Sequence, residues 1–166
     1  MDSLTYIRIQ DKDINTYLDT RNLKVNRQYS NTNEKIDKIS HYIWWFSDKS
    51  RTSYLVKKEN KNILILTEDK KFINGKLFIN NGFMAFKKKT NVFDLLKAIK
   101  WQNENIKKYK NCFNIILVDR KNKFGLWHNK YFNFKELTSN DDLYKILKDE
   151  YKFKKNIKPF YKRIVT

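Results

Sequence analysis

The chain is poor in the residues that bend or cross-link a polypeptide, because its 166 residues include three glycines, one proline and one cysteine. So little glycine and proline argues against flexible linkers, and we expect one domain over residues 1–166. A single cysteine, Cys112, excludes an internal disulfide, and with two histidines it cannot complete a usual structural zinc site. We therefore expect no bound metal, and we expect Cys112 to pack at the start of a buried strand.

Long hydrophobic runs are also missing. No apolar stretch approaches the roughly 18 residues that cross a membrane, and residues 1–6 lack the layout of a signal peptide. Apolar residues still make up 40% of the chain and aromatic residues 16%, which is enough for a substantial core. These features predict a soluble protein of the cytoplasm that does not associate with membranes.

The formal net charge of +18 invites a nucleic-acid interpretation, because clustered cations attract phosphates. However, the chain has 30 lysines against 6 arginines, together with 20 asparagines and 17 isoleucines. These abundant residues have codons rich in A and T, so genome bias explains much of the charge. The positive field suits small anionic ligands equally well, since it steers their diffusion. Nucleic acid therefore remains an alternative partner.

Hydrophobic periodicity and turn chemistry predict a mixed α/β chain. Asn74-Gly75 is a strong two-residue hairpin signal, and Asn80-Asn81-Gly82 predicts a second turn. Strands are predicted at residues 4–9, 52–57, 62–67, 70–73, 76–80, 83–88 and 113–119, at Phe134, and at 160–165. Helices are predicted at residues 13–20, 34–46, from an N-cap at Asn91 to 107–110, at 122–132 and at 141–148.

The helix at 34–46 is predicted to pack through one apolar stripe. Its N-cap is expected among residues 31–33, which are Asn, Thr and Asn. The residues at helical spacing that should face inward are Ile36, Ile39, Ile43 and Phe46. His41 lies off this stripe, so we expect it to border the core.

Residues 122–134 carry the most informative pattern. The predicted strand 113–119 is followed by Asn122, by Gly125 three places later, and by a helix that should stop at Asn133, since Asn tolerates the left-handed conformation. This arrangement resembles the last conserved segment of the GCN5-related N-acetyltransferases (GNATs), where Asn is followed by a small residue at +3 and Gly-Phe at +11 and +12. Here Asn133 stands in the glycine place and Phe134 fits the last position.

A second likeness lies near the N-terminus. Its residues, in order, are Arg21-Asn22, Arg27, His41 and Trp44-Trp45-Phe46. Their spacing resembles the GNAT branch that acetylates amino groups of nucleotide-linked sugars. The resemblance implies an α/β (α+β) fold with a mixed, mostly antiparallel central sheet flanked by helices. It also implies acetyl-CoA as co-substrate.

In the resembled family, coenzyme A enters a gap between two central strands, and its pyrophosphate rests on the amides of a glycine-rich turn. The matching turn here has no glycine; it consists of Phe86, Lys87, Lys88, Lys89, Thr90, Asn91 and Val92. Either these lysines and the helix-end amides, with Asn122, still bind the pyrophosphate, or cofactor binding has been lost. A solvated lysine run is the plainer alternative.

The resemblance also implies roles for the chemistry. A main-chain amide in the Met84–Lys87 region should polarise the acetyl carbonyl. The family tyrosine that protonates the leaving thiolate falls on Asn129 here, so that role is absent or passes to Tyr131 or His128. His41 is the candidate base, because a histidine pKa lies near neutrality; a partly buried structural histidine is the alternative.

The acceptor is expected to contact Arg21, Asn22 and Arg27, with Trp45 stacking on a sugar or uracil; surface ion pairing and core packing are the alternatives. The sequence thus predicts an N-acetyltransferase that uses acetyl-CoA on a nucleotide-linked amino sugar in surface glycan biosynthesis. A catalytically inactive GNAT-like module that binds a polyanion or a protein is the second hypothesis. An enzyme acting on protein amino termini or an antibiotic is the third. A homo-oligomer remains open.

Overall fold

The computed structural model describes residues 3–165, which form seven strands and six α-helices. In chain order these are β1 (Thr5–Arg8), α1 (Ile14–Asn22), α2 (Lys24–Arg27), α3 (Lys38–Ser47), β2 (Arg51–Lys58), β3 (Lys61–Ile73), β4 (Lys76–Ala85), α4 (Val92–Ile106), β5 (Cys112–Asp119), α5 (Lys123–Tyr131), β6 (Lys135–Glu136), α6 (Asp142–Tyr151) and β7 (Ile157–Ile164). A short 3-10 turn at Asp11–Asp13 precedes α1. Within this part of the chain, no helix is long and apolar enough to cross a membrane.

The strands form one sheet in the order β1-β2-β3-β4-β5-β7-β6. Neighbouring strands are antiparallel except β4 and β5, which run parallel. A parallel pair needs a crossover, and α4 with its 15 residues provides it. The predicted mixed, mostly antiparallel sheet flanked by helices is confirmed.

Alternating residues of the strands pack against two helical layers. Leu64 and Leu66 contact the α4 residues Ala98 and Ile99 on one face. Ile65, between them on β3, belongs to the opposite face, where it clusters with Tyr17 of α1. Helix α6 packs on the same face of the sheet as α1. Helix α5 packs on the α4 face, against the end of β5. Cys112 is fully buried at the start of β5, as predicted.

The central hairpin has two long strands instead of four short ones. Asn74 and Gly75 have φ values of 49° and 72°, so the predicted hairpin turn is confirmed. The turn predicted at Asn80-Asn81-Gly82 is wrong, because β4 continues through it with Asn81 opposite Glu68 and Gly82 opposite Thr67 on β3. Pairing with two neighbouring strands outweighs the local turn preference.

Helix α3 begins later than predicted. Asp37 is its N-cap, and its Oδ1 accepts a hydrogen bond from the Ser40 amide at 2.9 Å. The cap predicted at residues 31–33 is therefore wrong. Those residues belong to an exposed segment, residues 28–37, that connects α2 to α3.

The face of α3 that packs inward is also different from the prediction. The apolar residues expected inside are exposed by 75%, 67% and 54% at Ile39, Ile43 and Phe46. His41 is 1% exposed instead, so it lies within the core and not at its border. The reason is an aromatic contact, since Tyr17 of α1 lies 5.8 Å from the His41 ring by centroid distance. Packing against Tyr17 therefore turns the face of α3 that carries His41 towards the core.

Helix α5 follows the prediction closely. The Asn122 side chain caps its start by accepting the Gly125 amide at 2.9 Å. Asn133 has φ 59°, which is the left-handed conformation expected of a helix stop. The strand expected at Phe134 begins one residue later, as the short β6, and the final strand is found as β7.

Candidate active site

A cleft opens where β4 and β5 separate. Their parallel pairing extends from Leu77 opposite Cys112 to Asn80 opposite Ile115. Beyond this point β4 stays paired with β3 as far as Ala85, and β5 stays paired with β7 as far as Asp119. The result is a cavity of about 590 Å³ between the two central strands. This is the gap that the resemblance implies, and its volume is in the range of small-molecule sites.

The β4 main chain on the cleft side has two positions of interest. The Phe86 amide donates to the Ile63 carbonyl of β3 at 3.2 Å. Because main-chain groups alternate in direction along an antiparallel strand, Phe83 and Ala85 direct theirs away from β3, towards the cleft. Both Ala85 groups are occupied, since its amide donates to Asn26 Oδ1 and its carbonyl accepts from Asn26 Nδ2, each at 2.8 Å. Phe83 is left as the position that can pair with a ligand.

The amide expected in the Met84–Lys87 region is therefore corrected to Phe83, one residue outside that region. Within that region the Ala85 and Phe86 amides already donate to protein acceptors. Asn26 was not singled out by the sequence. Its role depends on a partner 59 residues away, which no local pattern indicates.

The turn between β4 and α4 forms one wall of the cleft. Of the eight predicted cofactor residues, those that line the cleft are Lys87, Lys88, Thr90, Val92 and Asn122. The other three, which lie outside its lining, are Phe86, Lys89 and Asn91. Within the described residues, no carboxylate forms an ion pair with Lys87 or Lys88. These two ammonium groups are therefore available to an anionic ligand.

The start of α4 is partly capped by the protein itself. Asn91 Oδ1 accepts the amides of Phe93 at 2.9 Å and Asp94 at 3.3 Å. The buried Asp94 carboxylate lies in the first turn, 3.2 Å from Lys58 Nζ. In the described chain, the Thr90 hydroxyl is buried with no hydrogen-bond partner. Lys87, Lys88 and the Thr90 hydroxyl are thus the groups at this end of the cleft that a phosphate could contact.

Neither substitute for the family tyrosine is suited to protonate a thiolate. His128 lines the cleft, but its Nδ1 lies 3.2 Å from the Phe124 carbonyl, so Nδ1 carries the proton and Nε2 is an acceptor. Burial lowers the pKa of His128 to about 4, which keeps it neutral at physiological pH. Tyr131 is 60% exposed, stacks on Trp127 at 5.5 Å and lies outside the cleft lining.

His41 lies in a second cavity of about 280 Å³ beside the cleft, called the side cavity below. Its Nε2 is 3.3 Å from the Ile14 carbonyl, so the neutral ring donates there and leaves Nδ1 as an acceptor. Burial lowers the pKa of His41, and the Arg51 charge adds to this effect, against the hydrogen bond to Ile14. The ring is therefore neutral at physiological pH, which is the form that can accept a proton.

Two arginines line both cavities, namely Arg21 and Arg51. Arg51 was missed by the sequence analysis. Its Nη1 donates to the Tyr17 hydroxyl at 2.9 Å, and its guanidinium carbon lies 4.7 Å from the Trp44 ring centroid. One signal was present, since arginine is scarce in this chain and Arg51 opens a strand directly after the aromatic helix.

The other predicted acceptor residues are not brought to the junction of the two cavities. Asn22 exchanges two hydrogen bonds with the Ile36 main chain at 2.8 and 2.9 Å. Arg27 donates to the carbonyls of Asn22 at 2.9 Å and Asn33 at 2.6 Å. Both residues thereby hold segment 28–37. Trp45 donates to Asp11 at 2.9 Å and lines a separate cavity of about 150 Å³.

Asp119, at the end of β5, is a carboxylate that the sequence analysis did not single out. It lines the cleft and is 6% exposed. Its Oδ1 accepts the Lys121 amide at 2.7 Å, and its Oδ2 accepts the Asn156 side chain at 2.5 Å. Among the described lining residues it is the one carboxylate beside four lysines and arginines. In residues 3–165, no group of three His, Cys, Asp or Glu could hold a metal ion.

No protein-family model matches the chain, and no curated protein is significantly similar to it in sequence. Solved structures are similar over nearly the whole chain. A domain from Methanocaldococcus jannaschii matches with a TM-score of 0.78 at 11% identity, over 98% of this chain and 99% of that one. The spermidine N-acetyltransferase of Vibrio cholerae, in complex with CoA and spermine, matches with a TM-score of 0.74 at 10% identity, over 97% and 95%.

A proposed phosphinothricin N-acetyltransferase matches with a TM-score of 0.70 at 15% identity, over 99% of this chain and 100% of that one. At such identities the likeness establishes the architecture. The fold is that of the GNAT acetyltransferases, as the two sequence patterns implied.

Proposed function

We propose that the protein transfers an acetyl group from acetyl-CoA to an amino group of a small molecule. The observation that carries this proposal is the open cleft between β4 and β5, with the Phe83 main chain free to pair and a lysine-lined helix start at its edge. A pantetheine chain contains amide groups that pair with such a strand edge. The fold shared with acetyltransferases, one of them solved in complex with CoA, supports the same ligand.

The reaction assigns each of these groups a task. The amine nitrogen attacks the thioester carbonyl carbon, a C–N bond forms, and the C–S bond breaks. The Phe83 amide is placed to donate to the carbonyl oxygen as its negative charge develops. The amine proton passes to a base, for which we propose His41. The departing thiolate takes a proton from water or from the Tyr29 hydroxyl, which lines the cleft.

The coenzyme phosphates would lie at the start of α4. Lys87 and Lys88 supply charge there, the Thr90 hydroxyl lacks a partner among the described residues, and Asn122 lies on the opposite wall. Helix starts favour anions because of their free amides and dipole. Asn91 already occupies two first-turn amides, so the lysines must contribute more than in a glycine-rich turn.

For the acceptor, we propose a nucleotide-linked amino sugar used in surface glycan biosynthesis. The spacing of Arg21, His41 and the following tryptophans supports this class, and Arg21 and Arg51 at the side cavity favour an anionic molecule. A polyamine such as the spermine bound by the Vibrio cholerae protein would meet like charge here. Of the described residues lining the side cavity, none is Asp or Glu.

Two observations favour the alternative of a catalytically inactive module that binds a polyanion or a protein. The first-turn amides of α4 are partly capped by Asn91, and Asn129 replaces the family tyrosine. Isothermal titration with acetyl-CoA separates the two functions. If the protein is the proposed enzyme, binding should be saturable and should weaken in Lys88→Gln. It should not weaken in Lys61→Gln, which removes an exposed lysine at the start of β3, outside the cleft. Absence of binding at millimolar acetyl-CoA would remove the enzyme proposal.

A further inference from the structure

We infer that Arg21 and Arg51 form a paired oxyanion site that holds the carboxylate or phosphate group of the acceptor amine. The inference rests on the proposed function for the identity of the acceptor, but the site itself is defined by the two guanidinium groups. Of the residues that the structure describes, Arg21 and Arg51 are the two that line both the cleft and the side cavity. An anion bound there would therefore lie at the junction between the two spaces.

Arg51 presents the edge of its guanidinium that is suited to oxyanions. Its Nη1 is engaged by Tyr17 at 2.9 Å, and Trp44 lies against one face of the group. Its Nε is buried and has no hydrogen-bond partner among the described residues. Nε and Nη2 form the fork that binds two oxygens of a carboxylate or phosphate side-on. Packing against Trp44 and Tyr17 fixes this fork before a ligand arrives.

Arg21 provides the second group. Its Nη2 donates to the Thr32 carbonyl at 3.1 Å, which holds the side chain in place. Its Nη1 is buried and also lacks a partner in residues 3–165. Burial lowers the pKa of Arg21, and the charges of Arg27 and Arg51 contribute in the same direction, against the effect of Tyr17. The two guanidinium groups are thus close enough to repel each other.

The protein balances these charges only in part. Burial lowers the pKa of Arg51, yet Tyr17, Asp69 and Asp48 together raise it above its ordinary value. Within the described chain, neither carboxylate forms an ion pair with Arg51. Both carboxylates accept hydrogen bonds from Ser50 instead, at 2.6 and 2.7 Å. Two like charges with unsatisfied buried N–H groups are costly in isolation. A bound oxyanion would satisfy both groups and remove their repulsion.

The size and lining of the side cavity restrict which acceptor molecules can bind. About 280 Å³ accommodates an amino acid or a phosphorylated amino sugar, whereas a nucleotide would have to extend into the cleft. An oxyanion at the junction leaves the rest of the molecule between His41 and the cleft. We therefore assign the acceptor to the class of small amines that carry a carboxylate or a phosphate, and we exclude polyamines.

Binding of inorganic phosphate and pyrophosphate tests the site without any turnover. Isothermal titration is done with CoA present, so that the coenzyme's own phosphate groups occupy the α4 site. We expect saturable binding that weakens about tenfold or more in Arg21→Gln and in Arg51→Lys, which keeps the charge but loses the fork. Arg163→Gln, which removes an exposed arginine of β7 outside both cavities, should bind as the wild type does.

The outcomes separate this inference from the proposed function. Acetyl-CoA binding without phosphate binding, or an equal loss in Arg163→Gln, would overturn the oxyanion site and leave the enzyme proposal standing. Phosphate binding that depends on the two arginines, in a protein that does not bind acetyl-CoA, would support the oxyanion site and overturn the enzyme proposal. Thermal melts show whether Arg51→Lys is folded. If it is not, Arg21→Gln tests the same site independently. Turnover of an amino acid against an amino sugar phosphate, with spermidine as control, then distinguishes carboxylate from phosphate.

Discussion

Asn26 pairs its side-chain amide with both main-chain groups of Ala85, as a residue of a neighbouring strand would. The two hydrogen bonds are each 2.8 Å long, and a third joins Asn26 Nδ2 to the Thr20 carbonyl at 2.6 Å. This contact joins α2 to the open edge of β4. It also closes one of the two positions at which a pantetheine amide could pair, so that Phe83 is the position left. Under the proposed function, Asn26 would therefore determine where the thioester lies along β4.

We predict that Asn26→Ala lowers kcat about tenfold or more while the Michaelis constant for acetyl-CoA changes little. The second pairing position becomes available, and a shift of the thioester along β4 misaligns the carbonyl with its donor. Steady-state kinetics of thiol release measures both constants.

Asn22→Ala is the matched control for this variant, because Asn22 makes the same two-bond contact with Ile36 away from the cleft. Both substitutions should cost about 1–3 kcal/mol of stability through lost hydrogen bonds. An equal loss of kcat in the two variants would show that Asn26 acts only through the fold.

Gly125→Ala should destabilise the protein by about 1–3 kcal/mol, since overpacking displaces well-packed neighbours. A Cβ atom at this position would lie 2.8 Å from Val118 Cγ1 and 2.9 Å from the side-chain Nδ2 of Asn122. The substitution therefore forces apart α5 and β5 and disturbs the cap of α5. Urea denaturation measures the change. Gly75→Asn, at a turn where nothing lies within 4 Å and Asn tolerates the φ of +72°, should cost much less.

The features that the sequence predicted correctly are those whose causes are local. The cap at Asn91 acts within three residues, and the turns at Asn74 and Asn133 depend on their own φ values. Caps and turns of this kind can be predicted from residues that are adjacent in the sequence. The predicted turn around Asn81 failed because its competitor, pairing with Glu68, comes from another strand.

The site was harder to predict for the same reason. The Arg51 side chain is held by a hydrogen bond to Tyr17, 34 residues away in the sequence. The Asn26 side chain is held by Ala85, 59 residues away. The buried face of α3 was likewise chosen by Tyr17 of another helix, so helical spacing alone selected the wrong side. The resemblance predicted the gap between the two central strands, but hydrogen-bonding partners that are distant in sequence decide which side chains can contact a ligand there.

Acid should destabilise the protein through His128. Burial lowers its folded pKa to about 4, below the usual value of 6.5, so the unfolded chain binds the proton more tightly. The contribution of the neutral ring is complete above about pH 6.5 and is lost as the pH falls towards 4, by about 3 kcal/mol in all. Urea denaturation at several pH values should therefore give a steeper slope in this window for the wild type than for His128→Gln. Equal slopes would contradict the argument.

Transfer to an amine requires an unprotonated base, and we predict that His41 provides it. Its pKa is lowered by burial, so kcat/KM should fall as the pH drops through a value below 6.5. His41→Gln should lower kcat/KM by a factor of about 10²–10⁴ and abolish this acidic limb, with little change in acetyl-CoA binding. Asp119 is the competing base because it lines the cleft itself. If the limb persists in His41→Gln and disappears in Asp119→Asn, the proton passes to Asp119, and His41 serves only to pack against Tyr17.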